Sequence, residues 1–173
     1  MPDEDIEAIA EIVLRGEDDY VLPEELVTEP VEPVAQPPEK NLAAQIAEMG
    51  MGQRLKLALR GNREARTILM RDPNRMVQRF LIQNPRLTDD EVIMMAKNRN
   101  FDREILGRIG SRKEWARNYQ VRLALVTNPK TPLNVAISFV STLLERDVRL
   151  LAKNKNIPAA VTGKAKRLMS ERG

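Results

Sequence analysis

Two pairs of segments in this chain are imperfect copies of each other. Residues 77–88 match residues 121–132, and each copy begins with Val and carries Asn-Pro at its eighth and ninth positions. Residues 92–100 match residues 148–156, which share an initial Val and the run Ala-Lys-Asn. A repeated unit of this size cannot bury its apolar face alone, so neighbouring units must stack. The repetition therefore predicts an array of similar, stacked units.

Each copy consists of an apolar stretch followed by a corner. Proline disfavours the α conformation in the residue before it, so Asn84-Pro85 and Asn128-Pro129 are predicted to end helices. Thr88, followed three residues later by Glu91, is typical of the capping box that starts a helix. Corners recur roughly every 14 residues, which leaves helices of two to three turns. Helices that short are unstable alone and need neighbours.

These patterns predict an all-α fold, since no segment shows strand alternation between hairpin turns. We expect about nine short helices in a right-handed α-solenoid over residues 41–173. The most apolar copy predicts a buried position for Leu125. Its helix should be covered on more than one side.

One copy also resembles a known repeat. Residues 121–132 carry Val121-Arg122, an apolar run, Asn128-Pro129 and Pro132, and this pattern resembles the leucine-rich repeat variant, a short helical relative of HEAT and armadillo units. Residues 52–173 as a whole resemble uncharacterised bacterial HEAT-like proteins. The resemblance implies an armadillo-type α-solenoid of helix pairs and a scaffold for protein–protein interaction. The iron–sulfur module of the family's founding examples does not transfer, because this chain has no cysteine.

The amino-acid composition limits which catalytic and metal-binding sites the chain can form. The chain has no histidine and no cysteine, which removes thiol nucleophiles, histidine bases, disulfides and the usual zinc ligands. No nucleotide-binding glycine motif occurs either. We predict a non-enzymatic protein without cofactor or metal; an enzyme that uses carboxylates alone stays open as a third reading. The acidic N-terminus is unlike a signal peptide, and no apolar stretch is long enough to span a membrane, so a cytoplasmic location is expected.

Charge divides the chain into two parts. Residues 1–40 hold 13 acidic and two basic side chains, a net charge of −11, and the remaining residues hold 26 basic and 12 acidic ones, a net charge of +14. The first part also carries six prolines. Such composition predicts disorder over residues 17–40. Before it, apolar residues at helical spacing predict a short docking helix over residues 3–15.

If successive helices alternate in direction, alternate corners fall on the same edge of the stack. One edge then collects seven cations, which we predict to bind an acidic or amphipathic segment of a partner protein: Arg71, Arg75, Lys97, Arg99, Lys130, Lys153 and Lys155. The acidic arm is expected to compete with that partner for this edge. A plainer interpretation is that cations suit helix C-termini, where they complement the macrodipole, and that the arm is a solvated tail.

The alternative partner is nucleic acid. A HEAT-like array can contact the phosphate backbone through its cations, and Phe101, Trp115 and Tyr119 lie close to basic residues, where they could stack on bases. Trp115 and Tyr119 are four residues apart, however. That spacing favours packing between helices.

Overall fold

A computed structural model describes residues 3–29 and 40–172 of the chain. The described residues are all-helical, without a strand. The helices are α1 (Asp3–Arg15), α2 (Lys40–Glu48), α3 (Met51–Arg60), α4 (Arg63–Leu69), α5 (Arg75–Leu81), α6 (Asp89–Lys97), α7 (Arg103–Ser111), α8 (Lys113–Ala116), α9 (Tyr119–Thr127), α10 (Leu133–Val140), α11 (Glu145–Lys153) and α12 (Ala159–Arg172), with a 3-10 turn at Glu24–Leu26. Eleven α-helices thus lie between residues 40 and 172, rather than about nine.

Short polar side chains cap the start of five of the described helices. A side-chain oxygen just before the helix accepts a hydrogen bond from a backbone N–H of its first turn, which has no partner within the helix. The Thr88–Glu91 capping box is present as predicted. The other residues that cap in this way are Asn62, Asn74, Asp102 and Asn118.

The Asn-Pro pairs lie between helices. Asn84 and Pro85 separate α5 from α6, and Asn128 and Pro129 separate α9 from α10. Both predictions are confirmed. The extra helices come from two further corners, at Asn62 between α3 and α4 and at Asn118 between α8 and α9.

The chain forms two compact units, Met1–Leu87 and Thr88–Gly173, here called the N-terminal and C-terminal units. In the N-terminal unit, α3 packs on α1, α4 and α5, and α4 packs on α2 and α5. The side chains of Leu57, Leu59, Val77 and Phe80 are fully buried in its core. Helix α3 is therefore at the centre of the unit.

In the C-terminal unit, α9 packs on α6, α7, α8 and α10, while α12 packs on α10 and α11. One core cluster joins Val126 of α9 with Val140, Val148, Leu151 and Val161. Leu125 is fully buried, as predicted. The most apolar copy of the repeat is covered by neighbours on several sides, which explains its nearly continuous apolar run.

The N-terminal arm corrects one prediction. Helix α1 occupies the predicted residues 3–15, but residues 17–29 are not disordered. Leu26 is fully buried, and Asn62 is hydrogen-bonded to the backbone around it. The rest of the predicted disordered segment, residues 30–39, lies outside the described residues.

Candidate binding surfaces

The asparagines of the two Asn-Pro corners make the same set of hydrogen bonds. Asn84 Nδ2 donates to the carbonyls of Ala58 (2.9 Å) and Gly61 (3.3 Å) at the end of α3. Its Oδ1 accepts from Arg86 N at 2.9 Å. The last carbonyls of a helix have no partner within it. Each corner asparagine therefore ties its own corner to the C-terminus of an earlier helix.

Asn128 repeats this arrangement in the C-terminal unit. Its Nδ2 donates to the carbonyls of Ala96 (2.8 Å) and Asn98 (3.1 Å) at the end of α6, and its Oδ1 accepts from Lys130 N at 3.0 Å. Only 4% of Asn128 is exposed. The repeated Asn-Pro pair thus forms the same joint twice, a corner hydrogen-bonded to the end of an earlier helix.

Asn62 uses the same amide chemistry on the acidic arm. Its Nδ2 donates to the carbonyls of Glu25 (2.6 Å) and Thr28 (2.8 Å), and its backbone N–H donates to Leu26 O at 2.7 Å. Its Oδ1 caps α4 through Ala65 N at 3.0 Å. We call residues 16–29 the strap. Asn62 thus holds the strap by the same kind of bond with which Asn84 and Asn128 each hold the C-terminal end of a helix.

Cations hold the two ends of the strap. Near its start, Lys56 Nζ lies 2.7 Å from Asp18 Oδ1 and also donates to the carbonyl of Tyr20. Burial raises the pKa of the Asp18 carboxyl, but the hydrogen bonds from Lys56 and from Tyr20 N and the Lys56 charge outweigh it and hold the pKa below its ordinary value. At the far end, Arg66, which is 1% exposed, lies 2.7 Å from Glu29 Oε1.

The strap partners were not predicted from sequence. The side chains that hold it are Lys56, Asn62, Arg66 and Arg86, the last through Val27 O at 2.7 Å. This set differs from the seven predicted cations, so competition between arm and partner for those cations stays a prediction. The sequence carries no signal for the burial of Lys56 and Arg66, because the residues three and four positions from them on their helices include polar ones, among them Gln53, Arg60 and Arg63.

Helix α1 docks on α3 through one stripe and leaves another uncovered. Ile6, Ala10 and Val13 are buried at helical spacing. Ile9 and Ile12, on another side of the helix, are 37% and 44% exposed. The helix ends at Gly16, whose φ of 76° is in the left-handed region that favours glycine. There the chain turns into the strap.

The C-terminal unit carries a cleft of about 350 Å3 between α6, α9 and α11. Residues of α9 and α11 line it at spacings of three and four, so each helix presents one face. Leu150 is 68% exposed, although it is a large apolar residue. The lining residues are Lys97, Gln120, Leu123, Ala124, Thr127, Asp147, Leu150, Leu151 and Asn154.

Of the seven predicted cations, Lys97 lines this cleft, and four others lie close in sequence to the C-terminal ends of the helices that form it. Asn128 ties the corner after α9 to the end of α6, and Asn154, just after α11, lines the cleft together with Lys97. The C-terminal ends of the three helices therefore meet at one edge. The exposed cations at these ends are Lys97, Arg99, Lys130, Lys153 and Lys155.

The other two predicted cations belong to the N-terminal unit. Arg71 lines a cavity of about 530 Å3 beside the ion pair of Arg54 with Asp72, whose atoms lie 2.7 Å apart. Arg75 is the first residue of α5. The structure thus brings together five of the seven residues in one unit and leaves two in the other.

Tyr119 and Asp147 brace the other end of the cleft. The Tyr119 hydroxyl donates to Asp147 Oδ2 and accepts from Leu144 N at 3.2 Å. Leu144 precedes α11 without a capping side chain, so the tyrosine supplies the acceptor that this helix start lacks. Burial, together with the bond to the Asp147 carboxylate, raises the pKa of Tyr119.

The aromatic residues do not form a stacking platform. Phe101 and Trp115 are buried, at 2% and 8% exposure. Arg112 lies over the Trp115 ring at 4.5 Å. Arg122 lies over the Tyr119 ring at 5.6 Å and donates to Ala116 O at the end of α8. These contacts confirm the expected packing of Trp115 and Tyr119 between helices.

Across residues 3–29 and 40–172, no group of three or more acidic side chains is placed to hold a metal ion. Among the described helices, none combines the length and apolarity that a membrane crossing requires. Comparison with known proteins found no matching family, no similar curated protein and no similar solved structure.

Proposed function

We propose that this chain is a non-enzymatic interaction module built from HEAT-like helix pairs, and that the cleft of its C-terminal unit binds an acidic, amphipathic segment of a partner protein. The observation that carries the proposal is a cleft with leucine side chains in its lining, together with five exposed cations at or within three residues of the C-terminal ends of α6, α9 and α11. The leucine side chains of the cleft and the nearby cations are complementary to a segment that carries both leucine-like and acidic side chains on one face.

The packing supports the solenoid part of this proposal. In the C-terminal unit, α6, α9 and α11 line one cleft, while α10 packs on both α7 and α12. Two layers of alternate helices follow naturally: α6, α9 and α11 in one, α7, α10 and α12 in the other. Solenoids of this kind offer the surface of one layer to their ligands.

The contacts of the strap support the proposal that the cleft binds an acidic segment. On the N-terminal unit, an acidic segment is held by one buried leucine, by cations on its carboxylates and by an asparagine on its backbone carbonyls. The cleft of the C-terminal unit offers the same three kinds of group: apolar side chains at Leu123 and Leu150, a cation at Lys97 and an amide at Asn154.

The test uses the full chain and a synthetic helical peptide with glutamate on one face and leucine on the other. We expect NMR signals of Leu123 and Leu150 to shift on titration, and we expect binding to weaken with salt because exposed charges are screened. Leu150→Ala and Lys153→Glu should each weaken binding at least several-fold. Leu133→Ala and Lys166→Glu, at exposed positions outside the cleft lining, should not.

A short DNA duplex distinguishes the nucleic-acid alternative. If the cations serve a phosphate backbone, the duplex should bind in a salt-dependent way and Leu150→Ala should leave its affinity unchanged. The burial of Phe101 and Trp115 favours the protein partner. A duplex that binds more tightly than the peptide would overturn that preference.

A further inference from the structure

We infer, building on the proposed function, that the cleft of the C-terminal unit binds helix α1 of a second copy of this chain, so that the protein associates head to tail. Helix α1 offers the two properties that the cleft requires. It has an exposed apolar stripe, and it is strongly acidic. The stripe remains available because α1 docks on α3 through its other apolar side.

The exposed stripe has regular helical spacing. Asp5, Ile9 and Ile12 follow each other at intervals of four and three residues, so they lie on one face. Single exposed apolar residues are common on protein surfaces. Two isoleucines in register with an aspartate, on a helix whose adjacent side is already buried, instead form an amphipathic surface that suits a groove.

Charge complementarity argues for this occupant. Helix α1 has five acidic residues and one basic residue, Arg15. Five exposed cations lie at or within three residues of the C-terminal ends of α6, α9 and α11, the helices that form the cleft. Opposed patches of this kind steer association and exclude partners of like charge.

The sizes also agree. A helix of 13 residues is about 20 Å long. Three neighbouring helices packed at about 8–10 Å span a similar distance. The cleft holds about 350 Å3, and a protein cavity of about 150 Å3 accommodates a benzene molecule. Two isoleucine side chains therefore fit its volume.

Such an interface joins two different surfaces of the protein. A pair of bound copies keeps one free α1 and one free cleft, so association continues into open chains or closes into a ring. A single short helix buries little area, and small interfaces are weak and transient. Association should therefore increase with protein concentration and decrease with salt.

The test is a complementation experiment with two variants of the full chain. The first, Ile9→Arg with Ile12→Arg, removes the α1 stripe. The second, Leu150→Glu with Lys153→Glu, removes the cleft. Circular dichroism and thermal melting establish that both fold, and Leu133→Glu with Lys166→Glu serves as the matched control. Sedimentation velocity at several concentrations measures the mass.

We expect the wild-type chain and the control to grow in mass with concentration, and each of the two variants to stay monomeric. An equal mixture of the two variants should form dimers and nothing larger, because only one intact α1 and one intact cleft remain per pair. Wild-type protein that stays monomeric would overturn the inference, as would association of either variant alone or a mixture that does not dimerise.

These failures are distinguishable from failure of the proposed function. If the acidic amphipathic peptide binds at Leu150 but the wild-type chain stays monomeric, the cleft has a different partner and only the present inference fails. If neither the peptide nor a second copy binds, both fail.

Discussion

Replacing Asn128 with alanine should strongly destabilise the C-terminal unit. The change removes the bonds to Ala96 O, Asn98 O and Lys130 N, at 2.8, 3.1 and 3.0 Å. Each hydrogen bond contributes about 0.5–1.5 kcal/mol net, so we expect a loss of about 2–4 kcal/mol. Asn128→Asp has the same size but points a carboxylate at two carbonyl oxygens, and it should cost at least as much at neutral pH.

Urea unfolding followed by tryptophan fluorescence measures this loss, because Trp115 is the only tryptophan and lies in the same unit. Linear extrapolation gives the free energy of unfolding. Asn154→Ala is the control, since the half-buried Asn154 closes its turn through one bond, from Asn156 N at 2.8 Å. If Asn128→Ala costs no more than this control, the corner asparagines do not stabilise the joints.

Three further predictions concern the core and two ionisable groups. Leu125→Ala should cost about 2–5 kcal/mol in urea unfolding by leaving a cavity, whereas Leu150→Ala at the surface should cost less than about 0.5 kcal/mol. Because the folded-state pKa of Asp18 is lowered, its stabilising contribution is complete above about pH 3.9 and is lost as the pH falls through the lower folded-state pKa. Stability measured against pH should therefore drop more in wild type than in Asp18→Asn; equal slopes would contradict the Lys56 contact. The pKa of Tyr119 is raised in the folded state. Its stabilising contribution is therefore complete below about pH 10 and is lost as the pH rises through the folded-state pKa. Unfolding measured at alkaline pH should show this loss of stability in wild type and not in Tyr119→Phe.

The sequence predicted those parts of the fold that depend on neighbours along the chain. Proline at 85 and 129 ends helices through local sterics, and the capping box at Thr88 is formed within four residues. Helix α1 was predicted to its residue bounds because its apolar spacing is complete within 13 residues. The burial of Leu125 followed from the apolar run around it.

The strap escaped prediction because its partners are distant in sequence. Asp18 and Lys56 are 38 residues apart, and Asn62 and Glu25 are 37 apart. Acidic, proline-rich composition indicates that a segment cannot form its own core. It does not reveal that another part of the chain supplies one for Leu26.

Of the candidate site, the sequence predicted the cations but not the leucine side chains of the cleft. Alternation of corners placed the cations after α6, α9 and α11 on one edge. The apolar part of the cleft lining was missed because Leu123 and Leu150 follow the same helical spacing as core residues. Spacing alone does not distinguish an open helix face from a covered one.

The bonds of Asn62 leave the middle of the strap free to change in sequence. Glu25, Leu26 and Thr28 contribute only backbone carbonyls to this joint, and every residue type has a carbonyl. The joint is therefore blind to most of the strap's side chains, provided that an apolar one fills the place of Leu26. Evolution or a protein engineer can therefore exchange the other residues between Asp18 and Glu29, while these two carboxylates, which pair with the buried Lys56 and Arg66, and the helices that hold the strap keep their sequence.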